Sequence, residues 1–75
     1  MATAEKLLER MRDNPRGWRI AQLQTVAAAY EVAWVHDGGS HCTFRAPRGE
    51  KLTVPAKRPI KPVYVRQFVD LIDTL

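Results

Sequence analysis

The stretch AWVHDGGSHCTFR, residues 33–45, decides how this chain folds. Val32–Asp37 and His41–Ala46 are short, β-branched or aromatic segments, and Gly38-Gly39 lies between them. Two such runs around a glycine pair read as a β-hairpin. If Gly38 and Gly39 are the two turn residues, His36 opposes His41, Val35 opposes Cys42, Trp34 opposes Thr43 and Ala33 opposes Phe44. Side chains alternate between faces along a strand. One face would then hold Ala33, Val35, Cys42 and Phe44, and the other Trp34, His36, His41, Thr43 and Arg45. This register predicts two neighbouring imidazoles, because directly opposed residues have Cβ atoms about 4.5–5.5 Å apart. A change of one residue in loop length would give every position a new partner. His41 would remain out of phase with Phe44, so its exposure depends less on the turn.

Outward from the hairpin, PRGE (47–50) reads as a second turn and KLTVP (51–55) as a third short strand that adds Leu52 and Val54 to the apolar face. The helical period returns after AKRPIKP (56–62): Tyr64, Phe68, Leu71 and Leu75 are spaced by four, three and four, and Val65 and Ile72 widen the stripe. Pro62 suits the first turn of that helix. Upstream, TAEKLLERMRD (3–13) carries Leu7, Leu8 and Met11 on one stripe, with Thr3 as cap, and NPRG (14–17) breaks it. WRIAQLQTVAAAY (18–30) places Ile20, Leu23, Ala27 and Tyr30 at helix spacing. The expected order is α-α-β-β-β-α: an α+β domain whose three-stranded antiparallel sheet has helices on one face and an open second face.

At 75 residues the chain is one domain, residues 1–75, with a leading helix in 1–14. A core of this size gives about 3–5 kcal/mol without staples. One cysteine excludes an internal disulfide, and one Cys with two His is no structural zinc set. No apolar run is long enough for a membrane span. The leading stretch is charged and amphipathic, unlike a signal peptide, so the expected setting is the cytoplasm.

Charge is unevenly placed. Residues 1–37 carry five basic and five acidic side chains, whereas residues 38–66 carry seven basic ones against Glu50 alone. A contiguous positive region suits a polyanion such as nucleic acid, or an acidic protein. With so few carboxylates there, a metal-dependent nuclease is disfavoured, and no cofactor is expected. No phosphate-binding glycine loop, paired-carboxylate site or Ser-His-Asp arrangement is readable.

The ordered set GGSHCTF, RAPRGEKLTVP and IKPVYVRQFVDLI resembles the HicA toxin family, whose pattern is a Gly-Ser-His hairpin, an aromatic three residues after the His, a TVP strand and a Lys-Pro-led final helix. The N-terminal LLERMRDNPRGWRIAQLQTVAAAYEV is similar to longer relatives with an extra leading helix, so the likeness covers about residues 5–75. The resemblance implies a double-stranded-RNA-binding-domain-like fold, a toxin that cleaves mRNA without ribosomes, and neutralisation by a HicB-type antitoxin. It carries the catalytic role onto His41. Many relatives have a second His where this chain has Cys42; strand alternation turns that position to the core, which suits a small hydrophobe.

Each candidate has two readings. Histidine exchanges protons near neutrality, so His41 is the candidate general acid/base for attack of a ribose 2′-hydroxyl on the adjacent phosphate; otherwise it is a turn-flanking residue. His36 is a second proton-transfer or orienting group, or a polar strand-edge residue. Trp34 stacks an RNA base, covers the sheet or meets the antitoxin. Gly38, Gly39 and Ser40 offer backbone N–H groups to phosphate, or only form the turn. Lys57, Arg58 and Lys61 before the last helix, and more weakly Arg45 and Lys51, are RNA-phosphate contacts or solvated charges. Trp18, Tyr30, Tyr64 and Phe68 read as core.

Overall fold

The structure, a computed structural model, describes residues 3–36 and 40–75. It is an α+β domain with the order α1 (Ala4–Asp13), α2 (Ile20–Ala29), β1 (Ala33–His36), β2 (His41–Arg45), β3 (Lys51–Pro55) and α3 (Pro62–Asp73). The expected order therefore holds. The sheet is antiparallel throughout, with β2 in the middle and β1 and β3 as its edges.

Local chemistry accounts for the element ends. The Thr3 hydroxyl accepts the Lys6 backbone N–H at 3.2 Å and caps α1. Gln22 Oε1 accepts the Arg19 N–H at 2.9 Å at the start of α2. The end of α2 is a Schellman motif: Val32 N–H reaches the Ala27 carbonyl at 2.8 Å and Glu31 N–H reaches Ala28 at 3.3 Å. Glu31 thereby takes a left-handed φ of 61°, where glycine is usual. Pro62 occupies the first turn of α3 as expected. The β2–β3 turn has Pro47 leading it; Gly49 N–H bonds the Ala46 carbonyl at 2.9 Å and Ala46 N–H bonds Glu50 at 2.8 Å. Gly49, at φ 97°, supplies the left-handed step of this bulged hairpin.

The buried residues of β2 and β3 are Cys42, Phe44 and Val54, all on one face. Helices cover that face. Gln24 Nε2 of α2 lies 3.6 Å from Cys42 Sγ, and Phe68 of α3 meets Phe44 with ring centroids 4.9 Å apart. Helix α2 lies against β1 and α3 against β3, while α1 contacts both. Leu8 and Met11 of α1, Leu23, Val26 and Ala27 of α2, and Val65, Phe68, Leu71 and Ile72 of α3 complete the core. Of the aromatic residues expected inside, Trp18 and Phe68 are buried and Tyr30 and Tyr64 are half-buried. Leu75, expected on the α3 stripe, lies beyond the helix and is exposed.

The β1–β2 register differs from the expected one. Ala33 pairs with Arg45, Trp34 with Phe44, Val35 with Thr43 and His36 with Cys42. Paired positions sum to 78, where the Gly38-Gly39 turn predicts 77. The turn itself lies outside the described residues. The shift of one inverts β1 relative to β2, so Trp34 and His36 share the helix-side face with Phe44 and Cys42, and Ala33 and Val35 join the open face. The physical preference is area: an indole has far more apolar surface to withdraw from water than an alanine or valine. Val35 is accordingly 71% exposed against 37% for Trp34.

Candidate nucleic-acid interface

The open face is built from cross-strand rows. Ala33, Arg45 and Lys51 form one row, Val35, Thr43 and Thr53 the next, and His41 lies opposite Pro55. The Thr43 and Thr53 hydroxyls are 3.1 Å apart and tie the middle of the face. Arg45 and Lys51 are exposed and directly opposed. Like charges so placed are mildly destabilising, and they concentrate positive potential. A shallow groove of about 410 Å³ runs along the β1 side, lined by Ala33, Trp34, Val35, Thr43 and Arg45.

His41 is exposed, at the head of β2, on the face opposite Cys42 and Phe44. Its Nδ1 lies 3.1 Å from Ser40 Oγ. A hydroxyl can donate or accept, so Ser40 can satisfy Nδ1 in either imidazole tautomer.

His36 does not accompany His41. It pairs with Cys42, which faces the helices, so the two imidazoles project from opposite faces. The expected pairing of His36 with His41 is corrected: the β1–β2 register sets His36 across from Cys42 instead. Trp34 moves with His36 and is no longer beside His41 on the open face. Gly38 and Gly39 lie outside the described residues, while Ser40 is at the His41 ring.

The segment after β3 is anchored at both ends. Ala56 N–H bonds the Ser40 carbonyl at 2.9 Å, and Ile60, itself buried, bonds the Trp18 carbonyl at 2.8 Å. Lys57 and Arg58 project from this segment, and Lys61 is the N-cap of α3. Lys57 and Lys61 converge with Pro55 and Tyr64 on a narrow cleft of about 70 Å³; Arg58 does not line it. Tyr64 lines this cleft, a position that its apolar spacing concealed. The available signal was its place three residues after Lys61, which puts the two on one side of the first helical turn.

Among the described residues no three His, Cys, Asp or Glu side chains are placed to share a metal ion. No described helix is long and apolar enough to cross a membrane. The molecule is thus an α+β domain that presents one exposed histidine on a polar, basic sheet face. No family model, no curated protein and no solved structure matches the chain.

Proposed function

We propose that this protein is an endoribonuclease toxin of the HicA type, with a double-stranded-RNA-binding-domain-like fold, acting on mRNA in the cytoplasm through a single catalytic histidine. The observation that carries the reading is His41: exposed on the open sheet face, with Ser40 Oγ at Nδ1 and cationic side chains on the same face. In this chemistry the His41 imidazole removes the proton from a ribose 2′-hydroxyl. The 2′-oxygen bonds to the adjacent phosphorus, the bond to the 5′-oxygen of the next nucleotide breaks, and that oxygen takes a proton from the imidazolium or from water. The products are a 2′,3′-cyclic phosphate and a free 5′-hydroxyl. Arg45, Lys51, Lys57, Arg58 and Lys61 supply the phosphate contacts that orient the strand. The reaction so drawn needs no metal. An acidic HicB-type antitoxin covering the basic face would neutralise the enzyme by occupying the same surface.

The test is inducible expression in bacteria of wild type and His41→Ala, with growth and mRNA integrity scored, followed by cleavage of an RNA oligonucleotide by the purified proteins. Loss of one general acid/base costs about 10²–10⁴-fold in rate, so only the wild type arrests growth and degrades mRNA. Equal cleavage by both proteins rejects the assignment. RNA binding without cleavage by either supports the alternative, a non-catalytic RNA-binding domain of the same fold.

A further inference from the structure

The cleft formed by Pro55, Lys57, Lys61 and Tyr64 stands beside His41, because Pro55 is the residue directly across from His41 in the β2–β3 ladder. Opposed residues keep their Cβ atoms within about 4.5–5.5 Å, so the cleft begins one side chain away from the imidazole. The chain is held there by the Ala56–Ser40 hydrogen bond at one end and the buried Ile60 at the other. The cleft is therefore part of the folded framework.

Its chemistry is that of an anion site. Among the described residues neither Lys57 nor Lys61 has a carboxylate partner, and the Tyr64 hydroxyl makes no hydrogen bond. The Tyr64 ring packs against the core, and Tyr64 lines the cleft together with Lys57 and Lys61. A volume of about 70 Å³ fits a compact group such as a phosphoryl and is small against the roughly 300–1,000 Å³ of sites for drug-sized ligands.

We infer that this cleft is a phosphate subsite for single-stranded RNA. It takes the phosphate next to the scissile one, held by Lys57 and Lys61 with Tyr64 Oη as the neutral donor, an assignment that rests on the His41 nuclease reading for which phosphate is cut. It excludes Arg58 from that contact. It also sets a minimum substrate: a dinucleotide with only its internal phosphate leaves the cleft empty.

The experiment measures binding of the ribodinucleotide UpU to the His41→Ala protein, and of the same dinucleotide carrying a 5′- or a 3′-terminal phosphate, at low salt. One of the two terminal phosphates tightens binding about tenfold or more, the scale of charge-assisted hydrogen bonds. Tyr64→Phe keeps the core-packed ring and loses part of that gain; Lys57→Gln with Lys61→Gln loses most of it. If neither terminal phosphate improves binding, or if the gain survives in the Tyr64 and lysine variants, the subsite is overturned. Cleavage of longer RNA by the wild type reads the other assignment separately. Cleavage without a terminal-phosphate gain leaves the nuclease and removes the subsite. A gain without cleavage leaves the cleft as a phosphate site on an RNA-binding domain and removes the nuclease.

Discussion

His36 pairs across the ladder with Cys42, the residue after His41, so the two histidines of this chain project from opposite faces of one sheet. On the proposed nuclease reading, proton transfer at a phosphate on the open face would fall to His41 alone. His36→Ala is expected to change the cleavage rate less than ~3-fold, against ~10²–10⁴-fold for His41→Ala. Parallel rate measurements on one RNA oligonucleotide check this, and comparable losses in both variants would contradict the single-histidine reading.

On the proposed reading, Ser40 is a positioning residue that would act through His41. Its Oγ lies 3.1 Å from Nδ1, and removing it by Ser40→Ala takes away a neutral hydrogen bond that orients the ring. The expected loss in turnover is about 3–10-fold, the scale of one such bond, with folding unchanged. Nitrogen chemical shifts of the imidazole, which report the hydrogen bond at Nδ1, provide the readout that a purely structural role would not move.

Glu31 holds a left-handed conformation at the end of α2, with φ 61°, so that Val32 can bond Ala27. A side chain there costs about 1–2 kcal/mol, and glycine recovers most of it less its own entropy. Glu31→Gly is expected to stabilise the domain by about 0.5–1 kcal/mol, since the Glu31 side chain is exposed. For a domain of this length the melting temperature should rise by roughly 2–8 °C, as thermal unfolding will show.

Phe44 and Phe68 are fully buried and in ring contact, joining the central strand to α3. Truncating either to alanine costs about 3–5 kcal/mol. A domain this small has about the same amount in total, so Phe68→Ala is expected to be largely unfolded at room temperature by circular dichroism. A cooperative melt near that of the wild type would show that α3 adds little to the fold.

Much of the architecture was legible because it follows from local chemistry. Thr3, Pro62 and PRGE (47–50) mark a cap, a helix start and a turn, and each does so within a few residues of itself. The alternation Cys42-Thr43-Phe44 assigned β2 its two faces correctly, which is why the exposure of His41 stood. Tyr64 was not legible as a cleft residue: its spacing belongs to the core stripe of α3, and only the return of Lys57 beside it makes a cleft.

The chain's sequence by itself determined the order of elements, the inward face of β2 and β3, and the clustering of positive charge after residue 37. These depend on periodicity and turn chemistry, which neighbouring residues carry. Only the tertiary structure decided the phase of β1 against β2. All four residues of β1 are exposed to some degree, so no buried position in that strand pins its register. What settles the phase is which face α2 covers and whether the large indole of Trp34 or the small side chains of Ala33 and Val35 lie on that side. That is a competition for burial against a helix formed elsewhere in the chain, and a strand pattern that reads equally well in either phase does not contain it.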